Sequence, residues 1–257
     1  MRLNTQQLHL YSARYSDFKA SRSIVDSLQW LDVAEWERYR RYHLDRHRQR
    51  FLIGRVLLRY TLSRYRDCAP EDWAFTIGEY GKPQIAQAGN ESVHFNLSHS
   101  GDLLLILVGR SSELGIDVEN SHRLRRFTRI AQRYFSESEV HELLKLTGSE
   151  QQRRFYRLWT LKEAYLKARG LGLGLRLDRF SFSFGADGCL DFDVKAGLED
   201  SAARWRFWQF GFGQCFQAAA AASSRGSQET QLRFFHWQSL ATVTEQSLPV
   251  EWQFSAA

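Results

Sequence analysis

The stretches "LGIDVEN", residues 114–120, and "WTLKEAYLKARG", residues 159–170, decide how this chain is read. The first alternates as a strand does. Ile116 and Val118 point one way, while Asp117 and Glu119 point the other, about 7 Å apart at roughly 3.3 Å per residue. The second has helical spacing: Leu158, Leu161, Ala164, Tyr165 and Ala168 form one apolar arc, and Lys162, Glu163 and Lys167 fall on the other side with Trp159. Either element alone is an ordinary half-solvated strand or a wet helix face. If the two polar faces meet, three carboxylates converge beside two ammonium groups. Such an oxygen-rich set suits Mg²⁺, which takes one or a few carboxylates and completes its shell with water and substrate phosphate. Zinc would call for His or Cys at ligand spacing, which this neighbourhood lacks.

Outward from this pair the chain reads as two similar halves. In the first, residues 45–66 carry Leu52, Val56, Leu58 and Leu62 among arginines, an amphipathic helix. Short strands follow at 73–79, 93–98 and 102–109, separated by the turn signals "GKP" and "HSGD". The polar connector "RSSE", 110–113, marks a boundary, so the expected units are 1–112 and 113–257, the second carrying the acidic strand. In that unit Ser136 and Glu139 form a capping box flanked by Phe135 and Val140, which predicts a helix from about Glu137. A further helix is predicted from about Gln152 to Arg169, stopped by Gly170, and aromatic-rich strands follow at 179–185, 190–194, 204–213 and 214–222. Helix block then strand block, twice over, predicts an α+β fold built as a tandem duplication.

Composition narrows the function classes. With 257 residues, 43% of them hydrophobic, the chain can build a sizeable core, and no stretch approaches the roughly 18 apolar residues of a membrane span. The N-terminal residues lack the apolar run of a secretory signal, and Cys68, Cys189 and Cys215 are scattered without a CxxC. A cytoplasmic, monomeric protein with no membrane contact is expected. The net charge of +6 is concentrated: ten Arg stand against Glu37 and Asp45 between Trp36 and Arg66, and Arg123, Arg125, Arg126, Arg129 and Arg133 form a second cluster. An anionic partner is implied. Nucleic acid would account for the arginines but not for three convergent acids, which repel phosphate unless a metal intervenes. Another Mg²⁺-dependent phosphate enzyme would use the same acids.

The set "YGKPQI" (80–85), "FNLSHS" (95–100), "GIDVE" (115–119) and "WTLKEAYLKARGLGL" (159–173), in this order and spacing, resembles the long, Sfp-type 4′-phosphopantetheinyl transferases over about residues 35–222. The resemblance implies that family's duplicated α+β fold. It also implies Mg²⁺-dependent transfer of the phosphopantetheine arm of coenzyme A to a serine of an apo acyl or peptidyl carrier protein, releasing adenosine 3′,5′-bisphosphate. Carriers of fatty acid, polyketide and nonribosomal peptide synthesis all fit. By the same resemblance Asp117, Glu119 and Glu163 are the Mg²⁺ ligands, and Glu163 is also the base for the carrier serine, directly or through water. Lys162 and Lys167 contact the diphosphate, Lys167 facing the leaving bisphosphate. Lys82, Ser98 and His99 contact coenzyme A, the last two near its 3′-phosphate. Arg50 is the expected phosphate-binding arginine, assisted by Arg38, and Arg123, Arg125 and Arg126 would receive an acidic carrier. Residues 1–30 and 223–257 carry no motif and are assigned only to strands and surface.

Overall fold

The computed structural model describes residues 1–78, 81–86, 93–122, 126–185, 189–223, 230–247 and 250–255. Strand β1 (Gln7–Arg14) leads through the short helices α1 (Tyr15–Phe18) and α2 (Arg22–Asp26) to α3 (Val33–Arg41) and the long α4 (Asp45–Ser63). A small hairpin, β2 (Phe75–Ile77) and β3 (Pro83–Ile85), precedes β4 (His94–Ser100) and β5 (Leu103–Gly109). The apolar run "LLLILV" of β5 has no wet face because both of its faces are covered. Leu104, Ile106 and Val108 pack toward α4, and Leu103, Leu105 and Leu107 turn to a core shared with the second half.

The second half opens with β6 (Leu114–Asn120), then α5 (Phe127–Tyr134), α6 (Glu137–Leu144) and α7 (Gly148–Arg169). Four strands follow these helices: β7 (Phe180–Phe184), β8 (Leu190–Val194), β9 (Trp205–Phe212) and β10 (Phe216–Ser223). Leu114, Ile116 and Val118 enter the shared core with Trp208, Phe210, Ala218 and Ala220, whereas Phe207, Ala219 and Ala221 meet α7 on the opposite face. The layers are therefore helix, sheet, sheet, helix. Small residues let α7 lie close on its sheet. A Cβ at Gly115 would stand 2.1 Å from the Ala164 carbonyl oxygen and 2.5 Å from the Ala168 nitrogen, so only glycine fits beneath the helix. Gly170, at φ 66°, ends α7 in the left-handed conformation expected of it.

The tail departs from the expected division. Strand β11 (Gln231–Ser239) pairs parallel with β1, and β12 (Thr242–Gln246) pairs with β11, giving the sheet order β12-β11-β1-β5-β4. Among the described residues of the tail, only β13 (Trp252–Ser255) joins the second sheet, in the order β13-β9-β10-β6. Residues 231–246 thus belong to the sheet of the first half, not to a unit 113–257, because β1 offers them an edge that alternation cannot reveal. The capping box of α6 is present, with the Ser136 hydroxyl accepting from the Glu139 N–H. Helix α7 starts about one turn earlier than predicted, at Gly148.

Candidate active site

The two sheets meet where β4 runs beside β6. Instead of a backbone ladder, side chains of β4 accept from backbone N–H groups of β6: Asn96 Oδ1 from Ile116 (2.9 Å), Ser98 Oγ from Val118 (3.3 Å) and Ser100 Oγ from Asn120 (3.0 Å). The alternation that sends Ile116 and Val118 into the core turns Asp117 and Glu119 outward along this seam. Ser98 donates to Asp117 Oδ1 (2.9 Å) and Ser100 to Glu119 Oε2 (3.1 Å).

Helix α7 completes the acidic end. Lys167, one turn after Glu163, gives its ammonium to Asp117 Oδ1 (2.6 Å), Ser98 Oγ (3.0 Å) and the Ile116 carbonyl (3.1 Å). Burial pushes the Glu163 carboxyl up to about 7; Asp117 and Glu119 add to the rise and Lys167 opposes it. Asp117 and Glu119 are thus both within electrostatic reach of Glu163. Asp117 Oδ2 is buried and has no hydrogen-bond partner. That orphaned oxygen and the all-oxygen donor set fit a hard divalent cation. Among the described residues the carboxylates are not already gathered into a ready cation cage; the Lys167 ammonium is the counter-charge that lies against Asp117.

A cleft of about 610 Å³ runs from this acidic end to a basic one, bordered by Arg38, Arg50, His99, Tyr15, Tyr42 and His47. Arg50 lies over the Tyr15 ring at 5.7 Å, and Arg38 over Phe51 at 5.6 Å. Burial lowers the pKa of His99, and Lys167, Arg50 and Arg38 push it lower still. A positive field is therefore focused on the imidazole where it borders the cleft, which an entering anion would relieve. Ser98 and His99, paired by the resemblance, are neighbours on a strand and point apart: His99 faces the basic pocket, and Ser98 is buried in the seam. Lys82 donates to the Ser112 (3.1 Å) and Leu114 (2.9 Å) carbonyls, clasping the connector between halves, and its burial lowers its pKa to about 8. It borders a second cleft of about 270 Å³ together with Glu163.

Lys162 corrects the sequence reading. It was expected on the polar face of the helix as a diphosphate contact, yet its side chain is fully buried. Its ammonium pairs with Glu139 (2.8 Å), donates to the Leu177 (2.7 Å) and Phe180 (2.8 Å) carbonyls and lies over the Phe180 ring at 4.5 Å. Helix α7 is covered on more sides than its apolar arc indicates, and Lys162 faces α6 and β7 rather than the cleft. The basic excess is also less free than composition suggests: Arg55 and Arg59 are buried against Glu35 at 3.3 and 2.6 Å. Arg123 and Arg125 lie outside the described residues, and Arg126 is exposed just before α5. Tyr15, Tyr42 and His47 were missed, because nothing local marks an aromatic or imidazole near a helix end as part of a cleft.

Comparison with known proteins agrees with this geometry. The family model described as 4′-phosphopantetheinyl transferase superfamily matches residues 113–223, and one described as 4′-phosphopantetheinyl transferase, N-terminal, matches residues 19–111. The chain is similar to the 4′-phosphopantetheinyl transferase Sfp of Bacillus subtilis, 37% identical over 65% of this chain and 72% of that protein. It is also similar to the 4′-phosphopantetheinyl transferase HetI of Nostoc sp., 36% identical over 58% of this chain and 64% of that one. A relative in Synechocystis sp. is 38% identical, with the alignment spanning 56% of this chain and 58% of the relative's length.

Proposed function

Since this chain belongs to the 4′-phosphopantetheinyl transferase family, we propose that its cleft binds coenzyme A between the acidic and basic ends and passes the phosphopantetheine arm to a carrier-protein serine. The observation that carries this reading is a cleft with Asp117, Glu119 and Lys167 at one end and Arg50, Arg38 and His99 at the other, joined at Lys167 to the second cleft that Glu163 borders. Coenzyme A has a diphosphate and a separate 3′-phosphate, and a cleft with two charged ends matches two anionic groups held apart by a nucleoside.

In the proposed step the serine Oγ forms a bond to the phosphorus that bears the pantetheine arm. The diphosphate P–O bond breaks, and adenosine 3′,5′-bisphosphate leaves with the bond electrons. Glu163 accepts the serine proton; a carboxylate with a pKa near 7 suits that task at neutral pH. Lys167 supplies positive charge where the leaving bisphosphate departs. Arg50, Arg38 and His99 hold the 3′-phosphate and fix the register of the nucleotide, so the reacting phosphorus lies beside Glu163. Asp117, Glu119 and Glu163 would hold Mg²⁺, which when bound supplies charge neutralisation of the diphosphate oxygens. Lys82 lines the route that the pantetheine arm and the carrier serine share.

Both ends of the cleft come from one chain, so we propose a monomeric enzyme, and the three free cysteines favour a reducing, cytoplasmic setting. The exposed Arg126, with its sequence neighbours Arg123 and Arg125, supports an acidic carrier as partner. Incubation with coenzyme A, Mg²⁺ and an apo acyl or peptidyl carrier, followed by intact-mass measurement, tests the reading. One phosphopantetheine arm added to the carrier is expected. A carrier of unchanged mass beside a control transferase that modifies it fully would overturn the proposal.

A further inference from the structure

We propose that Asn96, Ser98 and Ser100 form a side-chain ladder that joins β4 to β6, and that within it Ser98 and Ser100 are positioning residues that aim Asp117 and Glu119 into the cleft. This inference rests on the transferase reading above. Its basis is the repeated geometry of the seam. Each of the three β4 side chains accepts from the N–H of the residue twenty positions later, and the two serines each donate to the carboxylate nineteen positions later. The register of β6 is held by its backbone ladder with β10, so what the seam with β4 adds is a hold on the two carboxylates themselves.

Ser98 stands at the centre. A hydroxyl has one proton to donate and two lone pairs to accept with. All three are engaged: the proton on Asp117 Oδ1, and the lone pairs by the Val118 N–H and the Lys167 ammonium. No capacity remains for a phosphate of coenzyme A, so the contact that the resemblance implies for this side chain is replaced by a role inside the protein. The bonds to Asp117 Oδ1 from Ser98 and Lys167 hold the carboxylate so that Oδ2 is the atom left without a partner. Asn96 makes the same kind of bond to the strand without a hydrogen bond to Asp117 or Glu119, and because it borders the second cleft, Mn²⁺ affinity rather than activity is the readout in which it serves as the control.

The test compares Ser98→Ala, Ser100→Ala and Asn96→Ala for thermal stability, for kcat and KM toward coenzyme A, and for Mn²⁺ affinity measured by electron paramagnetic resonance without coenzyme A. Residues that orient metal-binding carboxylates typically cost about 10–100-fold when removed. The serine variants should each lose about that much in kcat and in Mn²⁺ affinity while KM stays within about threefold. Asn96→Ala should melt lower yet keep Mn²⁺ affinity within about threefold. Ser98→Thr, which retains the hydroxyl, should recover much of the loss. A raised KM with unchanged kcat in Ser98→Ala would overturn the inference in favour of direct substrate contact. An equal loss of Mn²⁺ affinity in Asn96→Ala would reduce the ladder to a structural joint. If Ser98→Ala does not fold, Ser100→Ala decides by the same criteria. Wild-type protein that neither transfers the arm nor binds Mn²⁺ would overturn the transferase reading itself, an outcome distinct from a flat variant series in an active enzyme.

Discussion

Replacing Lys162 by Met separates a buried structural cation from a substrate contact. The ammonium is 0% exposed and its partner Glu139 1%, so removing the lysine strands a carboxylate out of water. Breaking a buried pair from one side costs about 3–5 kcal/mol. Glu139 keeps donors from the Ser136 N–H (2.9 Å), the Ser136 hydroxyl (2.8 Å) and the Phe182 N–H (3.0 Å), which puts the cost near the lower end, about 3 kcal/mol. For a chain of this size each kcal/mol moves the melting temperature by about 2–4 °C, so Lys162→Met should melt about 6–12 °C below wild type. The double variant Lys162→Met/Glu139→Gln removes the stranded charge and should recover at least half of that loss. Below its melting point the single variant should keep its KM for coenzyme A, because no part of Lys162 reaches the cleft. Differential scanning calorimetry and steady-state kinetics decide the matter. An unchanged melting temperature with a tenfold rise in KM would refute the buried placement and restore Lys162 to the diphosphate.

Glu163 must be deprotonated to act as a base, so kcat/KM at low Mg²⁺ should fall as pH drops through about 7, and added Mg²⁺, which competes with the proton, should move that limb to lower pH. A profile flat from pH 6 to 8, or one unmoved by Mg²⁺, would contradict this role; Glu163→Gln should lose about 10²–10⁴ in kcat. At the basic end dephospho-coenzyme A should bind more weakly than coenzyme A, with His99→Ala or Arg50→Ala narrowing the gap, which calorimetry reads directly. Because the surroundings lower the His99 pKa, acidification through its range adds a charge facing the 3′-phosphate, so coenzyme A alone should bind more tightly as pH falls. Gly115→Ala forces α7 off its sheet, and a loss of about 1–3 kcal/mol or more in stability, together with lower kcat, should follow from the displaced Glu163 and Lys167.

How far the residues alone disclose this site depends on whether each signal is local. The alternation of 114–120 is local, and it correctly sets Asp117 and Glu119 apart from Ile116 and Val118. The capping box and Gly170 are local as well, and both helix ends follow them. Lys162 failed for the opposite reason. A helix wheel sorts residues by polarity, and a lysine whose charge is met by Glu139 from another helix looks the same on the wheel as one facing solvent. Arg55 and Arg59 mislead similarly, since Glu35 on α3 neutralises them across a helix contact. The tail strands were legible as strands, but β11 pairs with β1, more than two hundred residues away, and pairing at that separation leaves no mark in either segment. The seam carried a sign that was read only in part. Asn96, Ser98 and Ser100 recur at every second position of a strand whose other residues include Phe95 and Leu97, the pattern of a polar face with a task.

The measurement that tests the account most directly follows phosphorus itself. Phosphorus NMR of coenzyme A with Mg²⁺, an apo carrier and the protein reports which bond is broken and where each phosphate ends. The account predicts that the paired diphosphate signals disappear together, replaced by one phosphodiester that moves with the carrier and by the two monoesters of adenosine 3′,5′-bisphosphate, and that Asp117→Ala and Glu163→Gln, shown folded by calorimetry, leave the diphosphate intact. A diphosphate that persists while the carrier gains mass, or conversion at the wild-type rate by either variant, would contradict it.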